Sequence, residues 1–212
     1  YVNGLPDKYL LVLINGKKQL DKCTKTLKRL SRIKKGELFM SNKNRCKWCN
    51  LKNPLYIKYH DEEWCKPNFN EKYLFEMLIL ESFQAGLSWI TILHKREAFK
   101  EAFDQFDVNK IAMYDDCKIN ELMNNPKIIR NSRKIKAAVK NAQIFIEIQK
   151  EYGSFSKYLW AYTNDKIIYE KKENETTSTL SDQISKDLKK KGMSFVGSIT
   201  IYSYLEAIGI YN

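Results

Sequence analysis

No run of about 18 apolar residues occurs anywhere in the 212-residue chain, so no membrane-spanning helix is expected. A disulfide framework is also missing. The five cysteines (Cys23, Cys46, Cys49, Cys65 and Cys117) are an odd number in a chain of ordinary size, which reads as thiols or metal ligands in a reducing compartment. Past Asn42 no segment alternates apolar and polar residues, which argues against strands. No internal repeat is visible. Acidic residues are scarce in one stretch only. From Lys17 to Arg45 there are 11 Lys/Arg against 2 Asp/Glu, a net of +9 out of the total +12. Residues 1–16 are neutral, so +3 remains for everything from Cys46 onward. The globular part is only mildly basic, and the headline charge is weak evidence for a nucleic-acid partner.

What is present begins with that basic stretch. The chain starts at Tyr1, not Met, and is expected to be a fragment or a processed form. Tyr9–Ile14 is a short apolar run that fits a strand or the end of a leader. Lys17–Lys35 has the composition of an organelle transit segment, a nuclear localisation patch or a solvated tail, the last being commonest. Leu20, Leu27, Leu30 and Ile33 allow a loose amphipathic helix there. We therefore expect a basic, flexible extension over residues 1–44 and a folded domain over 45–212.

The segment RCKWCNLKNPLYIKYHDEEWCKP, from Arg45 to Pro67, is aromatic and punctuated by Pro54 and Pro67, and reads as an ordered loop. Cys46-x-x-Cys49 lacks the second C-x-x-C or H-x₃-H that a zinc knuckle needs, and His60 reads on its own as a core histidine. Helical patterns follow at Glu71–Gln84, Trp89–Phe103, Val108–Tyr114, Asp116–Met123, Ser132–Glu151, Ser154–Tyr162, Ser181–Lys191 and about Gly197–Ile208, with Asp165–Thr179 as a loop. The fold class is all-α, with about eight helices joined by short loops.

The stretch LESFQAGLSW, Leu80–Trp89, concentrates the chemistry. The helix entering it is apolar almost all round (Tyr73, Leu74, Phe75, Met77, Leu78, Ile79, Leu80, Phe83), and such a helix is normally buried. Glu81 lies inside it. A buried carboxylate costs several kcal/mol unless it is paired or neutralised, and the last turn of a helix disfavours negative charge. Folding alone would not choose Glu there, so it either sits on a narrow exposed strip, pairs with a core Arg, or is a site acid. Gly86 fits a left-handed helix end and Ser88 an N-cap for the helix that Trp89 opens. An acid before a tight turn and an indole after it can face one cavity. Farther on, PKIIRNSRKIKA joins two helices across a turn carrying Lys127, Arg130, Asn131, Arg133 and Lys134. It is either a phosphate-holding helix start or a solvated one with basic neighbours.

Taken together, RCKWC, PLYIKYHDEEW, LFEMLILESFQAGLSWITIL with KRE, IIRN followed by KI, and SKDLKKKG with FVG resemble the DNA-3-methyladenine glycosylase I family in order and spacing, from Arg45 to Asn212. The resemblance implies a compact helical bundle of the helix-hairpin-helix glycosylase type. It implies a hydrolase that cuts the N-glycosidic bond of 3-methyladenine in alkylated double-stranded DNA, the first step of base excision repair. The enzyme would act as a monomer, off the membrane, in a nucleus or DNA-containing organelle if eukaryotic and in the cytoplasm if bacterial. By position, Glu81 is similar to the family's base-contacting acid, and Tyr59, Trp89 and Trp48 to its base-binding aromatics. Gln84, Gly86 and Leu87 correspond to the turn that approaches the gap in the duplex, and Arg130 and Lys134 to the DNA-binding hairpin around Ile119–Lys140. Cys46 and His60 correspond to two ligands of a structural zinc, whose other two, a His and a Cys, would lie past Asn212; Cys49 is a doubtful third. The chain departs from the family pattern at Cys65, where a Gly usually follows the Trp, and in lacking the glycine-containing hairpin loop of the wider superfamily. The alternative class is a non-catalytic nucleic-acid-binding module. The motifs supply no Asp placed to activate water.

Overall fold

The computed structural model describes residues 45–169 and 175–212. The expectations for Tyr9–Ile14, for the basic stretch Lys17–Lys35 and for the extension as a whole lie outside the described residues. By internal contacts the chain divides into two units, Tyr1–Cys46 and Lys47–Asn212. Everything below concerns the second unless stated.

Nine α-helices are present among the described residues: α1 (Pro54–Glu62), α2 (Glu71–Gln84), α3 (Trp89–Ala102), α4 (Val108–Ala112), α5 (Asp116–Asn124), α6 (Ser132–Tyr152), α7 (Phe155–Ala161), α8 (Thr179–Lys190) and α9 (Ser198–Ala207). They contain no strand pair, only an isolated bridge between Ile168 and Tyr211. The all-α expectation holds, and the helices fall where the periodicity puts them, with one exception. The segment read as a loop from Arg45 to Pro67 contains α1. Pro54 does not break the segment but occupies the first helical position, where its missing N–H is no loss. Asn53 caps it, its side-chain oxygen accepting from the Leu55 and Tyr56 amides at 3.0 and 3.4 Å. As a helix, the segment places Tyr56, Tyr59 and His60 on one face through i, i+3 and i+4 spacing.

α2 is the central element. Every residue from Leu74 to Phe83 is buried. The helix packs against α3, α6, α7 and α9, which explains an apolar surface with no polar stripe. Its two ends are fixed by specific polar contacts. At the start, the Asn70 side chain accepts from the Tyr73 amide at 3.0 Å. Glu71 reaches across to cap α7, accepting from the Phe155 and Ser156 amides at 2.9 and 2.8 Å. At the end, Gly86 takes φ +81, as the sequence requires for a left-handed exit.

α9 closes the unit by backbone pairing with the segment after α1. The Cys65 amide donates to Glu206 O at 2.9 Å and the Asn68 amide to Ile208 O at 3.0 Å. Tyr73 Oη donates to Ala207 O at 3.3 Å and Tyr204 Oη to Leu74 O at 3.0 Å. Gly209 sits at φ +76, and a Cβ there would lie 2.1 Å from the carbonyl carbon of Lys66 and 2.2 Å from the nitrogen of Pro67. Only glycine permits this approach. Cys65, the position where the resemblance implies a Gly, keeps the left-handed backbone at φ +57. The turn is therefore preserved and the cost of a side chain there, about 1–2 kcal/mol, is accepted. Three more non-glycine residues with positive φ, Asp104, Gln105 and Phe106, form the turn between α3 and α4, a feature the sequence pattern did not signal.

Two substitutions test this closure by chemical denaturation. Gly209→Ala should cost at least about 3 kcal/mol, since backbone must move to admit the methyl group. Cys65→Gly should change stability by no more than about 1 kcal/mol, relief of the left-handed strain being offset by the freer unfolded chain.

Candidate active site

A cavity of about 280 Å³ lies between α1, α2, α3 and α9, lined by Trp48, Tyr56, Tyr59, Trp64, Glu81, Gln84, Trp89, Ser203 and Glu206. Its size is near the lower end of small-molecule pockets, about 300 Å³. Most of its wall is aromatic. Tyr59 and Trp89 have ring centroids 5.2 Å apart at 54° and are both buried. Trp48 stands at the mouth, 38% exposed, edge-on to Trp64 at 4.9 Å and to Tyr56 at 5.5 Å. The sequence reading named Tyr59, Trp89, Trp48 and Glu81, and the structure brings all four to this cavity. It missed Tyr56, Trp64, Ser203 and Glu206. Tyr56 and Trp64 become legible once α1 is recognised as a helix; Ser203 and Glu206 carried no motif that pointed to the cavity.

Glu81 decides what the cavity is. α2 carries two buried acids in its buried span, and they are treated differently. Glu76 accepts from Arg96 Nε at 2.6 Å, while Arg96 Nη1 donates to Glu63 at 2.7 Å. The core arginine is thus committed to Glu76. Glu81, 4% exposed, has a buried Oε2 with no hydrogen-bond partner. The reading of Glu81 as the partner of a core Arg is excluded. Burial pushes its carboxyl well above the usual carboxylate range, and the charge of Glu206 on the same cavity adds to the shift. Trp89 Nε1 is likewise buried without a partner. The Tyr59 phenol is pushed up, first by burial and then by Glu81. A buried acceptor or donor left unmatched costs about 1–3 kcal/mol. Two of them on one aromatic cavity indicate a ligand that supplies the matching groups.

The other predicted residues separate. Gln84 is half-buried and lines the cavity itself. Ala85–Ser88 are exposed, with Leu87 42% exposed at the tip, so the turn projects as expected. Ser88 sits at the N-cap of α3 without the usual side-chain bond to the helix; its Oγ pairs with Thr91 Oγ1 at 2.7 Å. Arg130 is exposed beside the first turn of α6. Lys134, expected to reach DNA, does not face solvent. It is 7% exposed, and its Nζ donates to Phe83 O at 2.8 Å and Ala85 O at 2.6 Å. Its first-turn position is right, but the long side chain runs inward to unsatisfied helix-end carbonyls. His60 stacks on Trp64, rings 5.2 Å apart at 28°, with Nδ1 3.1 Å from Asp61 Oδ1. Cys46 belongs to the N-terminal unit and is partly buried. Among the described residues no group of three or more His, Cys, Asp and Glu could hold a metal ion.

A profile of the methyladenine glycosylase family matches residues 48–212. A DNA-3-methyladenine glycosylase of Haemophilus influenzae is 41% identical over 170 residues, 78% of this chain and 91% of that protein. DNA-3-methyladenine glycosylase 1 of Escherichia coli is 40% identical over 172 residues, 79% and 91% of the two chains. Among solved structures, a 3-methyladenine DNA glycosylase I superposes with TM-score 0.76 at 38% identity, covering 80% of this chain and 94% of that one. A variant of such an enzyme in complex with 3-methyladenine superposes with TM-score 0.75 at 42% identity, covering 80% and 93%. The helical fold is thus one shared with solved glycosylases. Within that class, the chain belongs to the methyladenine glycosylase family.

The raised pKa of Glu81 has a stability consequence with a definite sign. In the unfolded chain the carboxyl ionises near the ordinary Glu value; in the folded state it holds its proton to higher pH. The native state therefore binds more protons in that window, and stability falls as pH rises through it. Glu81→Gln removes this penalty. Thermal melting should show the variant more stable than wild type at neutral pH, the gap closing as pH drops below about 4, where Glu is protonated in both states.

Proposed function

We infer that the protein is a DNA glycosylase that hydrolyses the N-glycosidic bond of 3-methyladenine in alkylated DNA. The observation that carries this is the buried, unpartnered carboxyl of Glu81 on a cavity walled by Tyr59 and Trp89. Methylation at N3 makes adenine cationic and weakens its bond to the sugar, so the leaving group needs no strong acid. The task is selection. A cationic ring packed against indole and phenol rings gains up to about 2 kcal/mol when desolvated. Glu81 accepts a hydrogen bond from the exocyclic amine and, ionised in the complex, neutralises the ring's charge. Adenine itself brings no charge to repay the cost of ionising that buried acid. As the glycosidic bond breaks, positive charge passes from base to sugar in an oxocarbenium-like state. A non-catalytic binding module is not favoured, since the relatives matched over 91% of their length are glycosylases by name.

The finer substrate reading is double-stranded DNA, bound by a monomer, with the lesion flipped into the cavity at a cost of a few kcal/mol. The exposed turn supports this: Leu87 at its tip, on the backbone bend that Gly86 allows, fits the gap left in the duplex. Arg130 and the first turn of α6 would meet phosphate. The compartment follows the DNA: nucleus or DNA-containing organelle in a eukaryote, cytoplasm in a bacterium.

Single-turnover assay of duplex carrying 3-methyladenine tests the assignment. Wild type should release the base, and Glu81→Gln, though folded, should lose most of that rate. Equal rates in the two proteins would remove Glu81 from the chemistry.

A structural zinc is proposed on the family resemblance. The Nδ1 of His60 is engaged by Asp61, the carboxylate–histidine arrangement that orients the other ring nitrogen toward a metal. The pairing of His60 with Cys46 rests on the resemblance alone, and the described residues do not complete a tetrahedral set. Elemental analysis of the 212-residue chain and of its Cys46→Ser variant tests the proposal. One tightly held ion, lost on Cys46→Ser, would show a complete ligand set within these residues.

A further inference from the structure

Lys134, in the first turn of α6, belongs to the basic cluster at the α5–α6 turn, yet it is the member of that cluster turned away from solvent. Lys127, Arg130 and Arg133 are exposed. The Lys134 ammonium lies 2.8 Å from Phe83 O and 2.6 Å from Ala85 O, and 5.7 Å from the centroid of the Phe195 ring. The two carbonyls belong to the C-terminal turn of α2, which no intrahelical donor can satisfy. A cation at a helix C-terminus is favoured by the dipole, and charge-assisted bonds to carbonyls are stronger than neutral ones. The fold has therefore buried a lysine to hold the end of the helix that carries Glu81, immediately before the projecting turn Gln84–Ser88.

The same two segments are tied a second time. Lys95, nearly two turns into α3, donates from Nζ to Lys127 O at 2.8 Å. A third tie secures the rear of the assembly. Asn141, two turns along α6 from Lys134, exchanges hydrogen bonds of 2.9 Å with both the amide and the carbonyl of Ser194. The next residue, Phe195, has φ +58 and places its carbonyl 3.2 Å from Ser82 Oγ. The α5–α6 turn, the end of α2 and the start of α3 are thus linked by side-chain-to-backbone bonds on both sides of Gln84–Ser88.

We propose that Lys134 is a positioning residue: by holding the carbonyls of Phe83 and Ala85 it fixes the projecting turn relative to the basic α5–α6 turn, so that DNA seated on one is met at the right height by the other. This rests on the glycosylase reading and adds to it a residue that touches neither base nor phosphate. It acts on the transfer of the base from duplex to pocket and not on the pocket. Glu81 and Trp89 are fixed by their own buried helices and keep their places without it.

The test is Lys134→Met, which keeps length and apolar contact and removes the donor and charge. Three quantities are read at 25 °C: affinity for free 3-methyladenine by tryptophan fluorescence, affinity for undamaged duplex as a function of salt, and the single-turnover excision rate at saturating duplex carrying 3-methyladenine. Free-base affinity is expected within about twofold of wild type, with the salt slope of duplex binding unchanged, because no phosphate contact is lost. Excision should fall by about tenfold or more, since small misplacements of positioning elements carry losses of that size. A salt slope smaller by about one would overturn the proposal, identifying Lys134 as a phosphate contact. So would an unchanged excision rate, or a parallel loss of free-base affinity and excision, which would make the residue merely structural. Lys134→Leu, which likewise removes the donor and the charge, covers the case in which the methionine variant does not fold and is judged by the same three outcomes. Excision by wild type on the same duplex reports separately on the glycosylase reading.

Discussion

The burial of α2 governs the rest of this structure. A helix covered on all sides by other helices gives maximal apolar stabilisation and leaves no inexpensive place for charge. Yet it carries Glu76 and Glu81 within its buried span. For Glu76 the fold supplies Arg96, and through it Glu63 and α1, so that the charge becomes a tie between three helices. For Glu81 it supplies a cavity. The difference separates structural from chemical use of the same residue type on the same helix: one acid is compensated by the protein, and the other awaits compensation from outside.

Under the proposed function, that arrangement lets the pocket recognise a lesion by charge while leaving normal bases alone. Aromatic faces accept any base, because every base has a π surface. Discrimination has to come from the state of the base, and a cationic ring is the one partner that makes ionisation of a buried Glu81 favourable. The cavity is therefore held at a disadvantage until the right occupant enters. The stability forgone at Glu81 is of the kind active sites commonly carry.

Much of this was visible in the residues. The all-round apolar pattern of Glu71–Gln84 with an acid inside it pointed both to the central helix and to the site. Gly86 marked the turn, and periodicity placed eight of the nine described helices. What was not visible has physical reasons. Pro54 can break or begin a helix, and only the capping geometry of Asn53 shows which. The side chain of Lys134 had two destinations, phosphate or helix-end carbonyls, and sequence position is identical for both. Ser203 and Glu206 reach the cavity through the docking of α9, a long-range event with no local signature. The left-handed backbone at Asp104–Phe106 is imposed by packing and tyrosine contacts such as Tyr114 Oη to Asp104 at 2.6 Å, against the preference of those residues.

The backbone seam between the segment after α1 and the end of α9 has a bearing on how the molecule comes into being. Cys65 meets Glu206 and Asn68 meets Ile208, so the walls of the cavity come from opposite ends of the folded unit. Joining them closes nearly the whole unit into one loop, and that entropy is spent before the pocket exists. On the ribosome, α2 through α7 can pack while α9 is still unmade. The cavity has no fourth side until the last helix docks and Gly209 slides under Lys66 and Pro67. A chain that stops short of α9 is thus a helical body whose cavity lacks the wall that Ser203 and Glu206 supply.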